Sequence, residues 1–89
     1  MISEKDKQRV FEISKKYHVQ RVLLFGSSLR DDQTAADIDL AIEGIRPEDF
    51  FGYYGELMLA LSKPVDLIDL EGDSQFKRLI RREGTVLYG

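Results

Sequence analysis

The residues best suited to chemistry are two aspartates on one predicted strand, preceded by a glycine–serine turn. Asp37 and Asp39 follow Gly26 and Ser27 after nine intervening residues. Because successive strand side chains point to opposite faces of a sheet, Asp37 and Asp39 share one face. Two strand rises separate their Cα atoms by roughly 6.5–7 Å, and carboxylates that close repel each other unless a cation lies between them. A divalent metal ion is the obvious candidate, since two aspartates can converge on one.

A third carboxylate and a phosphate-binding turn complete the predicted site. Asp66 interrupts another apolar run, over 65–68, and a buried carboxylate without a partner costs several kcal/mol. Oxygen ligands of this kind suit Mg²⁺, which binds a few carboxylates together with substrate phosphates. Gly26 allows close approach of the backbone, and the N–H groups and hydroxyl at Ser27 point at an anion. Arg30, three residues later, is within reach of the same phosphates. These parts together predict a site for the triphosphate and metal of a nucleoside triphosphate.

The composition excludes several other classes of protein. The 89 residues predict a single domain over 1–89, and 43% hydrophobic with 33% charged residues argue against disorder. A net charge of −3 gives no indication of nucleic-acid binding, which is therefore not expected. The chain has no cysteine, which excludes disulfides and thiolate metal sites. No signal peptide or membrane-spanning run is recognisable, so a cytoplasmic protein without a membrane partner is expected.

The hydrophobic pattern predicts an α/β or α+β domain, a small mixed β-sheet with helices packed against it. The predicted order is helix, strand, short helical turn, strand, helix, strand, helix, strand. Strands are expected over 21–25, 37–42, 65–68 and 85–88, and the first helix is expected to run from a cap at Ser3 to about Tyr17. The short link between the first two strands predicts that they pair antiparallel. Gly84 is expected at the C′ position of the last helix. The inward side chains predicted for the last two helices are Phe50, Tyr54, Leu57, Met58 and Leu61, then Phe76, Leu79 and Ile80.

Two segments resemble the signature of the polymerase-β-like nucleotidyltransferases. They run from Phe25 to Arg30 and from Ala36 to Ile42, and the match is nearest to the minimal nucleotidyltransferase (MNT) domains. Residues 63–70 resemble the third-carboxylate strand of those domains, and 76–88 resemble their last helix and strand, so the likeness covers nearly the whole chain. Two departures lie in the loop after Arg30. Asp31 stands where most members have glycine, and nine residues rather than ten separate Ser27 from the first aspartate.

The resemblance implies a nucleotidyltransferase fold and an activity. Asp37, Asp39 and Asp66 would be the catalytic carboxylates that hold Mg²⁺, and Gly26 and Ser27 would bind the phosphates of ATP or another nucleoside triphosphate. Free-standing MNT domains of this length are commonly paired with a helical HEPN toxin in a hetero-oligomer. They act there as the antitoxin and can transfer AMP from ATP to a tyrosine of the toxin.

Other interpretations of the same residues stay open. The domain could instead be a non-catalytic module that neutralises its partner by binding alone, or an enzyme acting on a small molecule such as an antibiotic. Phe51 or Tyr53 must lie off the main stripe of its helix, which makes a partner surface there a fair hypothesis. The basic residues near the end of the chain are predicted to form a solvated helix face: Lys77, Arg78, Arg81 and Arg82.

Overall fold

A computed structural model describes residues 2–26 and 37–89 of the chain. The elements are α1 (Glu4–Lys16), β1 (Arg21–Leu24), β2 (Ile38–Glu43), a 3₁₀ turn (Pro47–Asp49) that leads into α2 (Phe50–Ala60), β3 (Val65–Asp69), α3 (Gln75–Glu83) and β4 (Thr85–Tyr88). The predicted order is confirmed throughout the described ranges. The short helical turn predicted after Gly26 lies outside them.

The four strands form one mixed sheet in the order β3-β2-β1-β4. β1 pairs antiparallel with β2 on one side and with β4 on the other, whereas β2 and β3 are parallel. The predicted antiparallel pairing of the first two strands is therefore confirmed. Because β1 and β2 run in opposite directions, the carboxyl end of β1 meets the amino end of β2. The parallel pairing brings the amino end of β3 to the same edge of the sheet.

Helices cover both faces of the sheet. On one face, α1 and α2 pack on side chains that include Val22, Leu24, Leu40, Ile42 and Leu67. On the other face, α3 inserts Ile80 against Leu23, Ala41 and Leu70. We call these the α1/α2 face and the α3 face. Coverage on both sides explains why β1 is almost continuously apolar.

Helix α1 is joined to the rest of the fold by polar contacts that its apolar pattern does not reveal. Ser3 caps the helix by accepting a bond from the N–H of Asp6, as predicted. The Asp6 side chain is 4% exposed and accepts bonds from both the N–H and the hydroxyl of Ser62, at 3.1 and 2.5 Å. Farther along, the hydroxyls of Ser14 and Tyr53 are 2.6 Å apart and fully buried. These contacts connect α1 to α2 and to the turn that leads into β3.

The end of α1 needs a left-handed residue, and a histidine supplies it. His18 has a φ of 56°. The His18 N–H donates to the Lys15 carbonyl, and the Val19 N–H donates to the Ser14 carbonyl. This is the hydrogen-bond pattern of a Schellman motif, in which glycine is the usual left-handed residue.

The burial of several side chains on α2 and α3 differs from the prediction. Met58 is 54% exposed, Phe76 53% and Leu79 41%, whereas Tyr53 is completely buried. The partner surface predicted at Phe51 or Tyr53 is therefore wrong for Tyr53, because its ring fills the space between α2 and α1. Phe51, at 81% exposure, remains on the surface.

Gly84 does not have the left-handed conformation that is typical of a C′ glycine, the position at which it was expected. Gly84 lies at the end of α3 but has an extended backbone, with a φ of −68°. A Cβ atom there would come within 2.7 Å of the Ile80 carbonyl oxygen and 3.2 Å of the Leu24 carbonyl oxygen. The close approach to the carbonyl oxygens of Ile80, in α3 itself, and of Leu24, in β1, requires glycine at this position, and no left-handed conformation is involved.

Within residues 2–26 and 37–89, no helix is both long enough and apolar enough to cross a membrane.

Candidate active site

Three residues form a row across the α3 face: one on β3, one on β2 and one immediately after β1. Asp66 is the register partner of Asp39 in the parallel pair of β3 and β2, so both side chains leave the sheet on the same face. Beyond the last paired residues of β1 and β2, the N–H of Phe25 donates to the Asp39 carbonyl at 3.1 Å. Phe25 packs with the α3-face cluster. The row therefore reads Asp66, Asp39, Phe25, and neighbouring strands lie roughly 4.8 Å apart.

Asp37 lies beside this row, two residues before Asp39 and immediately before β2 begins. The residue is exposed, and the alternation of β2 assigns it to the side of Asp39. The N–H of Ile38 donates to the carbonyl of Pro64 at 2.8 Å, which fixes the start of β2 beside the start of β3. Asp37, Asp39 and Asp66 are thus all located at the amino end of the parallel strand pair.

Gly26 is in direct contact with this group. Its φ is +67°, and a Cβ atom at this position would lie 2.7 Å from the Oδ2 atom of Asp39. The backbone therefore passes against the Asp39 carboxylate at a distance that only glycine permits. Ser27 and Arg30, the other predicted nucleotide-binding residues, lie outside the described residues.

The donor set suits Mg²⁺ that is shared with a phosphate substrate. Within residues 2–26 and 37–89, no three acidic, histidine or cysteine side chains are grouped as a ready-made metal cage. Mg²⁺ usually keeps several waters and takes only one or two carboxylates together with substrate phosphates. Asp39 and Asp66 on adjacent strands, with Asp37 two residues away, provide hard oxygen atoms of this kind. Asp39 is partly buried and Asp66 is exposed, so both remain accessible.

Asp69, on the same strand as Asp66, is excluded from the row. It lies three residues after Asp66, at the end of β3, and its Oδ1 atom accepts a 2.9 Å bond from the N–H of Glu71. Asp69 is therefore a strand-end residue that stabilises a turn.

The arginines of α3 pair with groups other than the three carboxylates of the candidate site. Arg78 pairs with Asp73, which holds the pKa of the Asp73 carboxyl below its usual value. Arg81 donates to the Leu70 carbonyl, and its Nε lies 3.4 Å from Glu43. These pairings agree with a solvated structural face rather than a nucleic-acid patch.

The sequence patterns did not identify Phe25, the aromatic residue of the row, as part of the site. Phe25 was assigned only to a strand, and Phe76 was assigned to the core. The strand register carried a signal, because a tight antiparallel pair that aligns Leu24 with Leu40 also aligns Phe25 with Asp39. The contact between Phe25 and Phe76 depends on where α3 crosses the sheet, which no local pattern indicates.

The mixed four-stranded sheet, with its helices and its carboxylates at one edge, defines a nucleotidyltransferase fold. The family model for polymerase β nucleotidyltransferases matches residues 8–89, and the chain belongs to this family. The fold is similar to that of a crystal structure of the toxin–antitoxin pair MntA–HepT, with a TM-score of 0.72 and 22% identity over 98% of this chain and 73% of that one. A mutant of the pair, with two aspartates replaced by glutamates, gives a TM-score of 0.76 and 22% identity over 93% and 73%. Among curated proteins, none matches this sequence.

Proposed function

We propose that this chain is the antitoxin of a toxin–antitoxin pair and a Mg²⁺-dependent nucleotidyltransferase that transfers AMP from ATP to a tyrosine hydroxyl of a helical HEPN-type toxin in the cytoplasm. The observation that carries the proposal is the alignment of Asp39 with Asp66 across parallel strands, with Gly26 against the Asp39 carboxylate. Membership of the nucleotidyltransferase family supports the reaction class. In the mutant toxin–antitoxin structure, the replaced aspartates are two positions apart, as Asp37 and Asp39 are here.

Each of the proposed site residues has its own role in the reaction. Asp66, on the outer strand of the row, would accept the proton of the attacking hydroxyl. That oxygen forms a bond to the α-phosphorus, and the bond from the α-phosphorus to the bridging oxygen of pyrophosphate breaks. Gly26, with Ser27 and Arg30 after it, would bind the phosphates that depart as pyrophosphate. Mg²⁺, held by Asp37, Asp39 and Asp66, would neutralise charge on the attacking and leaving oxygens.

The partner is expected to cover an exposed apolar strip of α2. Phe51, Met58 and Leu59 are 81%, 54% and 90% exposed. They occupy positions i, i+7 and i+8, so they lie along one side of the helix. We call this strip the α2 outer face. Exposed apolar clusters on small proteins commonly mark interfaces, and the similar toxin–antitoxin structures support a toxin as the occupant.

The test is the intact mass of the toxin after incubation with this chain, ATP and Mg²⁺. The wild-type chain is expected to add one or more AMP units. Asp39→Asn and Asp66→Asn each replace a carboxylate with a neutral side chain of the same shape. We expect Asp66→Asn to lower the transfer rate by about 10²–10⁴-fold, the range for a lost proton-transfer group. Asp39→Asn, which removes a proposed Mg²⁺ ligand, should lower it at least about 10–100-fold, the range for residues that only orient such a ligand. Both variants should keep the wild-type melting temperature.

Asp69→Asn is the matched control, because it changes the same residue type on the same strand outside the row. Its amide oxygen can still accept the bond from Glu71, so full activity is expected. If Asp39→Asn still labels the toxin at the wild-type rate, the enzymatic proposal is wrong. Tight binding of the toxin without any mass increase would favour the non-catalytic module instead.

A further inference from the structure

We propose that Phe76 and Phe25 form a stacking platform for the nucleobase of the bound nucleotide, an inference that rests on the proposed function. The Phe25 ring and the Phe76 ring meet edge to face, with centroids 6.1 Å apart and planes at 80°. Phe76 is 53% exposed although it contacts another aromatic ring. An aromatic ring that is fixed on one side and open on another provides a flat surface for a planar ligand.

The position of the platform matches one end of the nucleotide. Phe25 is the member of the row that follows Asp39 on the side away from Asp66. It also immediately precedes Gly26, where the phosphates are proposed to bind. The acceptor hydroxyl belongs on the Asp66 side, since Asp66 is the proposed base. The departing phosphates are proposed to lie beside Gly26, next to Phe25, and the base is the part of the same nucleotide with a planar face that an aromatic ring can stack on.

Stacking also fits the chemistry of the surroundings. Leu79, one turn after Phe76 on α3, is 41% exposed, so a second apolar side chain near Phe76 on the same helix is open to solvent. Aromatic stacking uses the π-face that every base possesses. The platform would therefore contribute affinity for nucleotides in general rather than a choice among bases.

The experiment measures the binding of Mg·ATP and of inorganic tripolyphosphate, which has no base, by calorimetry. Phe76→Ala is expected to weaken Mg·ATP about tenfold, as the loss of one base–aromatic stack does, while tripolyphosphate affinity is unchanged. Phe76→Tyr keeps the ring and should restore ATP affinity. Phe76→Trp introduces the single tryptophan of the chain, and its fluorescence should be quenched by ATP but not by tripolyphosphate.

Phe11→Ala is the matched control. Phe11 is 50% exposed and also makes an edge-to-face contact, with Tyr88 at 5.1 Å, but it lies on α1. The Phe11→Ala variant should bind Mg·ATP and tripolyphosphate with the wild-type affinities. If Phe76→Ala binds Mg·ATP as well as the wild type, the platform is wrong and the proposed function stands. An unchanged ATP affinity with a raised KM for the toxin would assign the ring to the acceptor, which also overturns the inference. A wild-type chain that binds no Mg·ATP overturns both.

Discussion

The closest approach in the site is between a glycine and a carboxylate. At Gly26 the positive φ and the proximity of Asp39 act together: the first favours glycine, and the second requires it. A side chain at this position would displace the carboxylate or move the turn that begins at residue 26. Because the same turn is proposed to bind phosphate, the carboxylate and phosphate parts of the site are positioned by one backbone segment.

Gly26→Ala should therefore damage the site more than the fold. An L-residue in the left-handed region costs roughly 1–2 kcal/mol, a loss that thermal unfolding will measure. Displacement of Asp39, a proposed Mg²⁺ ligand, should lower AMP transfer by about 10–100-fold, as the loss of a residue that orients a metal ligand does. Gly72→Ala is the matched control, because Gly72 also has a left-handed backbone, with a φ of +86°, but a Cβ there would meet only the Nζ atom of Lys77, at 3.7 Å; it should lose similar stability and keep normal transfer. A wild-type rate of AMP transfer by Gly26→Ala would show that the close approach of the Gly26 backbone to the Asp39 carboxylate is not needed for the reaction.

Helix α2 depends on a buried hydroxyl pair for its attachment to α1. Tyr53 is completely buried, and its partner Ser14 is buried as well. Burial raises the pKa of Tyr53 to about 12 from an ordinary value of 10.0, although the Ser14 hydrogen bond acts in the opposite direction. The folded chain therefore favours the neutral phenol more than the unfolded chain does.

The consequence is a loss of stability at alkaline pH. Because the folded-state pKa is the higher one, the contribution of Tyr53 is complete below pH 10.0 and is lost as the pH rises toward about 12. The free energy of unfolding should fall by about 2–3 kcal/mol over that window. Denaturant titrations between pH 7 and pH 12 measure it.

Tyr53→Phe should remove this pH dependence. At neutral pH it should cost about 1 kcal/mol for the lost hydrogen bond to Ser14. Ser14→Ala is the control: it removes the same hydrogen bond but keeps the buried phenol of Tyr53, so the loss of stability at alkaline pH should remain. A constant difference between wild type and Tyr53→Phe at every pH would contradict the assignment.

Across the whole molecule, the two proposed functions use opposite sides of the sheet. The carboxylate row lies on the α3 face, whereas the α2 outer face belongs to the helix layer that covers the α1/α2 face. Substitutions on α2 therefore do not touch the carboxylates, and the tyrosine that accepts AMP must reach the α3 face from another part of the docked toxin or from a second toxin molecule. Partner binding and nucleotide binding should be separable by substitution.

The double substitution Phe51→Ala and Leu59→Ala tests this separation. Each truncation of a buried interface side chain costs on the order of 1 kcal/mol or more, so affinity for the toxin should fall at least tenfold in a titration. Mg·ATP affinity should be unchanged. Val86→Ala, which truncates a half-exposed residue on β4, should affect neither. Unaltered toxin binding by the double variant would place the interface elsewhere.

Sequence alone determined the strands, the antiparallel first pair and the three acidic positions, because these follow from local periodicity and loop length. It also determined the family, through Gly26 and the spacing of Asp37 and Asp39. It could not determine which apolar residues stay exposed: Met58 and Phe76 fit helical stripes, and only the packing of each helix on the sheet left them at the surface. The alignment of Asp66 with Asp39, the Phe25–Phe76 contact and the burial of Tyr53 all join residues distant in sequence. Their positions depend on strand register and helix docking, which are settled by the packing of the whole core.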